Sequence, residues 1–466
     1  MTVFKPHCCC ISRDWSEAEY HCCKSIEIRR LTGSRFESSS LSFCKRSEKT
    51  AFDTDGMKTA QGLSWKNRSY ITRRSPERIW DMEIPFNQPY IGDKEREAVA
   101  EAIDQDVLHG NGPTTRRVQS FLEDWLDICH AFLTTSCTHA LEMATMLLDI
   151  GPGDEVIMPS FNFVSSANAV VRQGATPVFA EIRSETMNLD PEAVEEQITA
   201  DTKAIVLVHY GGVACDMEAF LELGEQHDVA IIEDAAQGVD AYFDDEPLGT
   251  IGDIGCYSFH DTKNVISGEG GAFLTDDKEV GRRAEIIREK GTNRAAFHRG
   301  EVDKYSWVDE GSSYIPSDIL AALLEVQLQK REEIRQKRKQ VWLTYREVLK
   351  PLVDDGLIEW QTIPEYADPN YHLFYFRTNT SKKRDELLSV LKEEGIQATF
   401  HYVPLHSSPY GRNTLNCTEK LPVTQHCSET LVRLPVYPQL VERVDAVVDT
   451  VVRTLRQTLA PVSTSR

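Results

Sequence analysis

The sequence predicts an α/β protein: a mostly parallel, seven-stranded sheet with a smaller α/β domain closing the chain. Three observations carry this. From Ala131 onward, short apolar runs alternate with amphipathic stretches, the strand–helix–strand rhythm of a parallel sheet covered on both faces. After about Pro316 a long charged stretch of helical period leads away from that rhythm, and a shorter strand–helix–strand series follows it.

Taken in order, the first 81 residues hold 15 Lys or Arg against 10 Asp or Glu, a net of +5 in a chain of 466 residues whose formal charge is -22. They sustain neither a helical nor an alternating period, so they read as a disordered or spurious extension. The division is therefore 1–81 extension, 82–335 large domain and 336–466 small domain. Six of the 12 cysteines lie in the extension: Cys8, Cys9, Cys10, Cys22, Cys23 and Cys44. Adjacent cysteines lack the C-x-x-C spacing with which two thiolates reach one tetrahedral ion, so no metal is expected there. The remaining cysteines stand singly, which suits a reducing compartment. No apolar run approaches the ~18 to 20 residues of a membrane helix, so a cytoplasmic protein is expected. The acidic balance argues against a nucleic-acid partner.

The candidate strands of the large domain are "AFLTTS", "DEVIMP", "TPVFAEI", "AIVLVHY", "VAIIEDA", "GCYSF" and "GGAFLT". Between them, "THALEMATMLLDI" and "DMEAFLELGEQHD" repeat apolar positions every three to four residues and predict helices. The charged stretch "LAALLEVQLQKREEIRQKRKQVWLTYREVLKPL" predicts one long helix. Beyond it, "YHLFYFRT", "RDELLSVLKEEG" and "IQATFHYVPL" predict strand, helix and strand.

Ligands of parallel sheets collect at the carboxyl ends of the strands, and four pieces of this sequence converge there. "TTSCTHAL" ends a strand in small hydroxylic residues and opens a helix, whose free N–H groups at Cys137 and Thr138 make an anion cradle. Asp234 follows an apolar strand in "IIEDAAQG". Lys263 sits in a loop of small and polar residues in "SFHDTKN", with Ser258 five residues before it. Phe163 in "PSFNF" offers a flat face. Each has an ordinary structural reading alone: a helix cap, a solvated strand end, a surface lysine, a core aromatic. Together they meet the demands of pyridoxal phosphate (PLP), which needs an anion cradle, a carboxylate against its ring nitrogen, a flat partner and a primary amine for the Schiff base.

The ordered wording "GDEVIMPSFNFVSSANAV", "VHYGGVACDM", "IEDAAQG", "YSFHDTKN", "GEGG", "EKGTNR" and "FHYVPLH" resembles the DegT/DnrJ/EryC1/StrS family of nucleotide-sugar aminotransferases, over about residues 83 to 460. That resemblance implies PLP-dependent fold type I and a homodimer in which both subunits wall the site. It also implies transfer of an amino group from L-glutamate to a dTDP-4-keto-6-deoxy sugar. Carried over by position, Lys263 matches the Schiff-base lysine, Asp234 the partner of the ring nitrogen, Gln237 the residue approaching the ring hydroxyl and Phe163 the stacking aromatic. Cys137, Thr138 and Ser258 match phosphate contacts, Cys137 standing where most of the family has glycine or alanine. His401 matches the substrate cleft. One departure is Ile315, where many relatives place an asparagine that reaches the neighbouring subunit's phosphate; Ser312 and Ser313 are the substitutes at hand. Family members that dehydrate the sugar carry histidine at the lysine position, so Lys263 favours transamination. A PLP-dependent lyase shares the cradle, aspartate and lysine, and the residues alone leave it open.

Overall fold

The computed structural model of the chain describes residues 83–459. The readings made for residues 1–81, the cysteine clusters included, lie outside the described residues. The seven predicted sheet strands all form: β1 (His130–Thr134), β2 (Glu155–Pro159), β3 (Thr176–Ala180), β4 (Thr202–Val208), β5 (Ala230–Asp234), β6 (Ile254–Ser258) and β7 (Gly271–Thr275). They lie in the order β1-β7-β6-β5-β4-β2-β3. β7 runs antiparallel to both its neighbours, while the pairs among β2 to β6 are parallel. The reason is local: residues 259–270 return directly as a loop, and a parallel neighbour would need a crossover.

Helices flank the sheet, and the first to follow a sheet strand is buried over most of its surface. Helix α1 (Asp93–Asp104) and α2 (Pro113–Leu126) precede it, α3 (Cys137–Leu147) follows β1, α4 (Val164–Arg172) follows β2, and α5 (Met217–His227) lies between β4 and β5. Leu141, Met143 and Ala144 of α3 are buried against Val156, Met158 and Phe273, so truncating Leu141 to alanine would cost about 2–5 kcal/mol. α2 begins with no cap of its own. Its free N–H groups are met from afar, Thr114 and Thr115 each donating at 3.0 Å to the buried carboxylate of Asp318.

The long charged stretch is not one helix. It breaks into α7 (Asp318–Gln329) and α8 (Arg331–Asp354), with α6 (Lys278–Arg288) preceding them. Lys330 at the break leaves helical geometry, at φ -106° and ψ 15°. Its amine instead reaches the buried Glu95 of α1 and, at 2.9 Å, Tyr90 O. The break lets α7 pack on α1 and α2 while Val341, Trp342 and Tyr345 of α8 enter a second core.

That second core covers a three-stranded antiparallel sheet, β8 (Ile358–Trp360), β9 (Phe374–Thr378) and β10 (Leu431–Leu434), with β9 central. Helices α9 (Ser381–Glu393) and α10 (Val444–Leu459) pack on it. The expected strand at "IQATFHYVPL" is a correction: Ile396 and Thr399 make only isolated bridges, to Ile84 and Arg433. The segment is instead drawn toward the large sheet, Leu405 N donating to Ser160 O at 2.9 Å. No helix among the described residues is long and apolar enough to cross a membrane.

Candidate active site

β1, β5 and β6 end on the same edge of the sheet, and a cavity of about 620 Å³ opens there. Cys137, Thr138, Asp234 and Ser258 line it from the strand ends and the start of α3. Phe163, Gln237, Lys263 and His401 line it too, so the sequence-predicted residues converge on one space.

Ser136 caps α3, its side chain accepting from His139 N at 3.2 Å. Among the described residues nothing accepts from the N–H groups of Cys137 and Thr138, the two that a helix start leaves free. The Cys137 thiol turns away, its sulfur 3.7 Å from Cys256 O, and burial pushes it well above the ordinary range. Cys137 therefore presents its backbone rather than its thiol to an anion. The Thr138 hydroxyl shares a 2.8 Å hydrogen bond with Ser165. The start of β7 presses against this turn at Gly271, where a β-carbon would come within 2.5 Å of Cys137 N.

Asp234 is buried at the end of β5, accepting from Ser166 Oγ at 2.6 Å and from Ala236 N at 3.2 Å. Ser166 in turn accepts from Asn162 Nδ2 at 2.8 Å. Burial raises the carboxyl, and Ser166 and the Lys263 amine oppose it. Burial also holds the Lys263 ammonium below its usual range. The buried Cys137 thiol is neutral, so the carboxylate of Asp234 is the charge that counters this. Lys263 is half-buried, and no hydrogen bond ties its Nζ among the described residues. Gln237 accepts from Gly211 N at 2.8 Å and donates to the Tyr402 hydroxyl at 3.3 Å.

Phe163 is 58 % exposed and lines the cavity. His401 stacks on Tyr402 at 3.5 Å and shares a 3.0 Å hydrogen bond with the Tyr210 hydroxyl. Burial, with Arg433 beside it, holds His401 well below the ordinary histidine range, so it is neutral near pH 7. Ile315 is half-buried beside Gly110. Ser312 and Ser313 are exposed and lie outside the cavity of their own chain.

Sequence reasoning missed Ser166, Asn162, Tyr402, Arg338 and Arg433. The first three sit inside the quoted motifs "PSFNFVSSANAV" and "FHYVPLH". The arginines carried no pattern. Beneath the site, Glu233 accepts from His209 Nε2 at 2.9 Å and from the N–H groups of Gly249, Ile251 and Gly252, each at 2.7 Å. Burial would raise this carboxyl, yet these donors hold it below its usual range. Cys215 N donates to His209 Nδ1 at 3.1 Å, which fixes Nε2 as the protonated nitrogen.

The residues fit pyridoxal phosphate on three counts: a buried carboxylate awaiting a cationic N–H, a helix start with free N–H groups, and an amine in the same cavity. Residues 89–453 match the profile of the DegT/DnrJ/EryC1/StrS aminotransferase family. The chain is 33% identical over 386 residues to the spore coat polysaccharide biosynthesis protein SpsC of Bacillus subtilis, covering 79% of this chain and 96% of that one. The fold is similar to that of Streptomyces DesV (S. venezuelae), at a TM-score of 0.73 and 31% identity, covering 82% of this chain and 100% of that chain. It is also similar to the PLP form of the sugar aminotransferase Spr1654 of Streptococcus pneumoniae, at a TM-score of 0.74 and 25% identity over 81% of this chain and 100% of the other.

Proposed function

The chain belongs to the DegT/DnrJ/EryC1/StrS aminotransferase family and is a PLP-dependent sugar aminotransferase, and from that premise we propose its substrates. It transfers the amino group of L-glutamate to the 4-keto group of dTDP-4-keto-6-deoxyglucose. The product is dTDP-4-amino-4,6-dideoxygalactose, a building block for cell-surface polysaccharide. The observation that carries the reading is Lys263 and Asp234 on one cavity, with motif wording that resembles transaminases of this sugar. The resemblance to a polysaccharide biosynthesis protein supports it. The same reading takes the protein as a cytoplasmic homodimer.

When bound, PLP supplies an electron-withdrawing ring that stabilises negative charge on the substrate carbon. The chain's own residues do the rest. The N–H groups of Cys137 and Thr138, with Ser258, would hold the phosphate. Asp234, kept in place by Ser166 and Ala236, would accept the N–H of the ring nitrogen. Gln237 and Phe163 would hold the ring hydroxyl and the ring. Lys263 would supply the Schiff-base amine and, as a base at Nζ, carry the proton of the transamination; its lowered pKa raises the free-base fraction that this requires. Neutral His401 offers a hydrogen bond to the sugar. A nucleotide bound far from the reacting carbon orients it, so free keto sugar reacts poorly.

Incubation with dTDP-4-keto-6-deoxyglucose and L-glutamate, followed by mass spectrometry and proton NMR of the product, tests the reading. The 4-amino sugar with stoichiometric 2-oxoglutarate is expected. Amination of a 3-keto isomer alone, or unsaturated sugar without glutamate consumption, would overturn it.

A further inference from the structure

The cavity has a second charged wall, on the side of the small sheet. Arg433 of β10 and Arg338 of α8 both line it. Arg433 donates through Nη2 to Phe400 O at 3.2 Å and lies 4.6 Å from the ring centroid of Phe86. Its Nε is buried with no hydrogen-bond acceptor. Arg338 is 2% exposed and donates only to main-chain carbonyls, Nε to Tyr371 at 3.2 Å and Nη2 to His372 at 2.6 Å.

Neither arginine pairs with a carboxylate among the described residues. Their neighbours do: Arg335 on α8 pairs with Asp368 and Arg377 on β9 with Glu359. Burial holds both cavity guanidiniums below their usual range, Arg338 at about 9. Withdrawing a cation from water without a counter-ion is costly, because solvation is lost and no Coulomb attraction replaces it. Two carboxylates share the cavity, and neither fills the gap. Asp234 is already bonded to Ser166 and Ala236 on the sheet side, and Glu269 is exposed and faces His260 at 3.7 Å. The helix start at Cys137 and Thr138 takes one anion, the cofactor phosphate. On the opposite wall, Arg433 Nε is left as a buried donor without an acceptor.

We propose that Arg433, backed by Arg338, anchors an oxyanion of a substrate: the carboxylate of the amino donor or a phosphate of the sugar nucleotide. The inference rests on the reading of Lys263 and Asp234 as the reacting end of the same cavity. Anchoring a substrate anion on the small-sheet wall sets the distance at which its reacting carbon meets Lys263 on the other. The guanidinium fork suits this because it meets two oxygens of a carboxylate or phosphate at once, which an ammonium does not.

The test is calorimetric binding to the wild-type, Arg433→Gln and Arg433→Lys holoenzymes, with glutarate as a carboxylate probe that has no amine and dTDP as a phosphate probe. Arg433→Gln is expected to weaken at least one probe by about tenfold or more, the loss of a charge-assisted hydrogen bond. Loss for glutarate alone identifies the donor carboxylate as the occupant, and loss for dTDP alone the nucleotide. Arg433→Lys keeps a positive charge but neither the fork nor the guanidinium over Phe86, so it should lose about fivefold; it carries the test if the glutamine variant does not fold. Affinities unchanged in the folded variants, or no binding of either probe to the wild type, would overturn the anchor. Turnover is read separately: Arg433-dependent probe binding without amination of any keto sugar keeps the anchor and ends the substrate reading.

Discussion

Gly271→Ala tests the cofactor cradle through its packing. A β-carbon at 271 would lie 2.5 Å from both Cys137 N and Ser136 C and 2.7 Å from Ser136 O. Ordinary contact begins near 3.4 Å, so the start of α3 must retreat by roughly 0.9 Å, a shift imposed by overpacking. The atoms in the way are backbone, which cannot swing aside as a side-chain end can. The strain should therefore fall in the usual overpacking range, about 1–3 kcal/mol of stability. The same retreat displaces the N–H groups of Cys137 and Thr138. A hydrogen bond to a charged oxygen contributes about 1.5–3 kcal/mol, so losing the aim of one should weaken PLP at least about tenfold. Urea unfolding of the apoprotein reads the first effect, and absorbance titration with PLP reads the second. A variant with wild-type stability and wild-type PLP affinity would refute the packing argument. One that loses stability yet binds PLP unchanged would refute the cradle.

Lys263→Ala is expected to abolish turnover and the yellow colour of the purified protein while leaving the far-UV spectrum intact; wild-type rates in that variant would end the assignment. Ser166→Ala removes a 2.6 Å donor to Asp234 and strands Asn162, so kcat should fall about tenfold with the KM for glutamate little changed, and Ser166→Thr should restore it. An unchanged kcat in the alanine variant would show that Asp234 needs no such support. For pH, Lys263 has a folded-state pKa below its ordinary 10.5 because burial disfavours the charge. Between the two values the unfolded chain binds more protons, so this lysine's contribution to stability rises with pH. The apoprotein of Lys263→Met should therefore exceed wild type in stability at neutral pH, with an advantage that shrinks toward pH 10.5; a gap in urea midpoint independent of pH would contradict the buried-charge account.

What the sequence made legible follows the range of the interactions involved. The seven sheet strands were readable because each is a short apolar run with a turn signal at its end, and Asp234 and Ser258 came with them as strand-end residues, with Cys137 opening the helix after the first strand. The break at Lys330 was not readable. The residues on either side keep a helical period, and the cause is a partner more than two hundred positions away, Glu95. The strand expected at "IQATFHYVPL" failed likewise. Its apolar alternation is real, but Leu405 and His406 are claimed by Ser160 of the large sheet, and the small sheet takes Leu431–Leu434 instead. Ser166 lay inside a quoted motif, yet nothing in its spacing says that its hydroxyl meets a carboxylate 68 residues further on.

The two walls of the cavity therefore differ in how their charges are arranged. On the sheet side, topology brings strand ends together, and the side chains of Asp234, Gln237 and Thr138 there are each held by protein partners. On the small-sheet side, Arg338 and Arg433 sit in a chain of net charge -22 and still lack a carboxylate among the described residues. Chance exposure to an acidic surface would have offered them many. At physiological ionic strength, surface repulsion of an anionic substrate is screened beyond about 8 Å, whereas buried cations act nearly unscreened over the few ångströms inside a cavity. An acidic exterior is thus compatible with an anion-seeking interior. The local field at Arg433, rather than the net charge of the chain, decides which ligand the cavity holds.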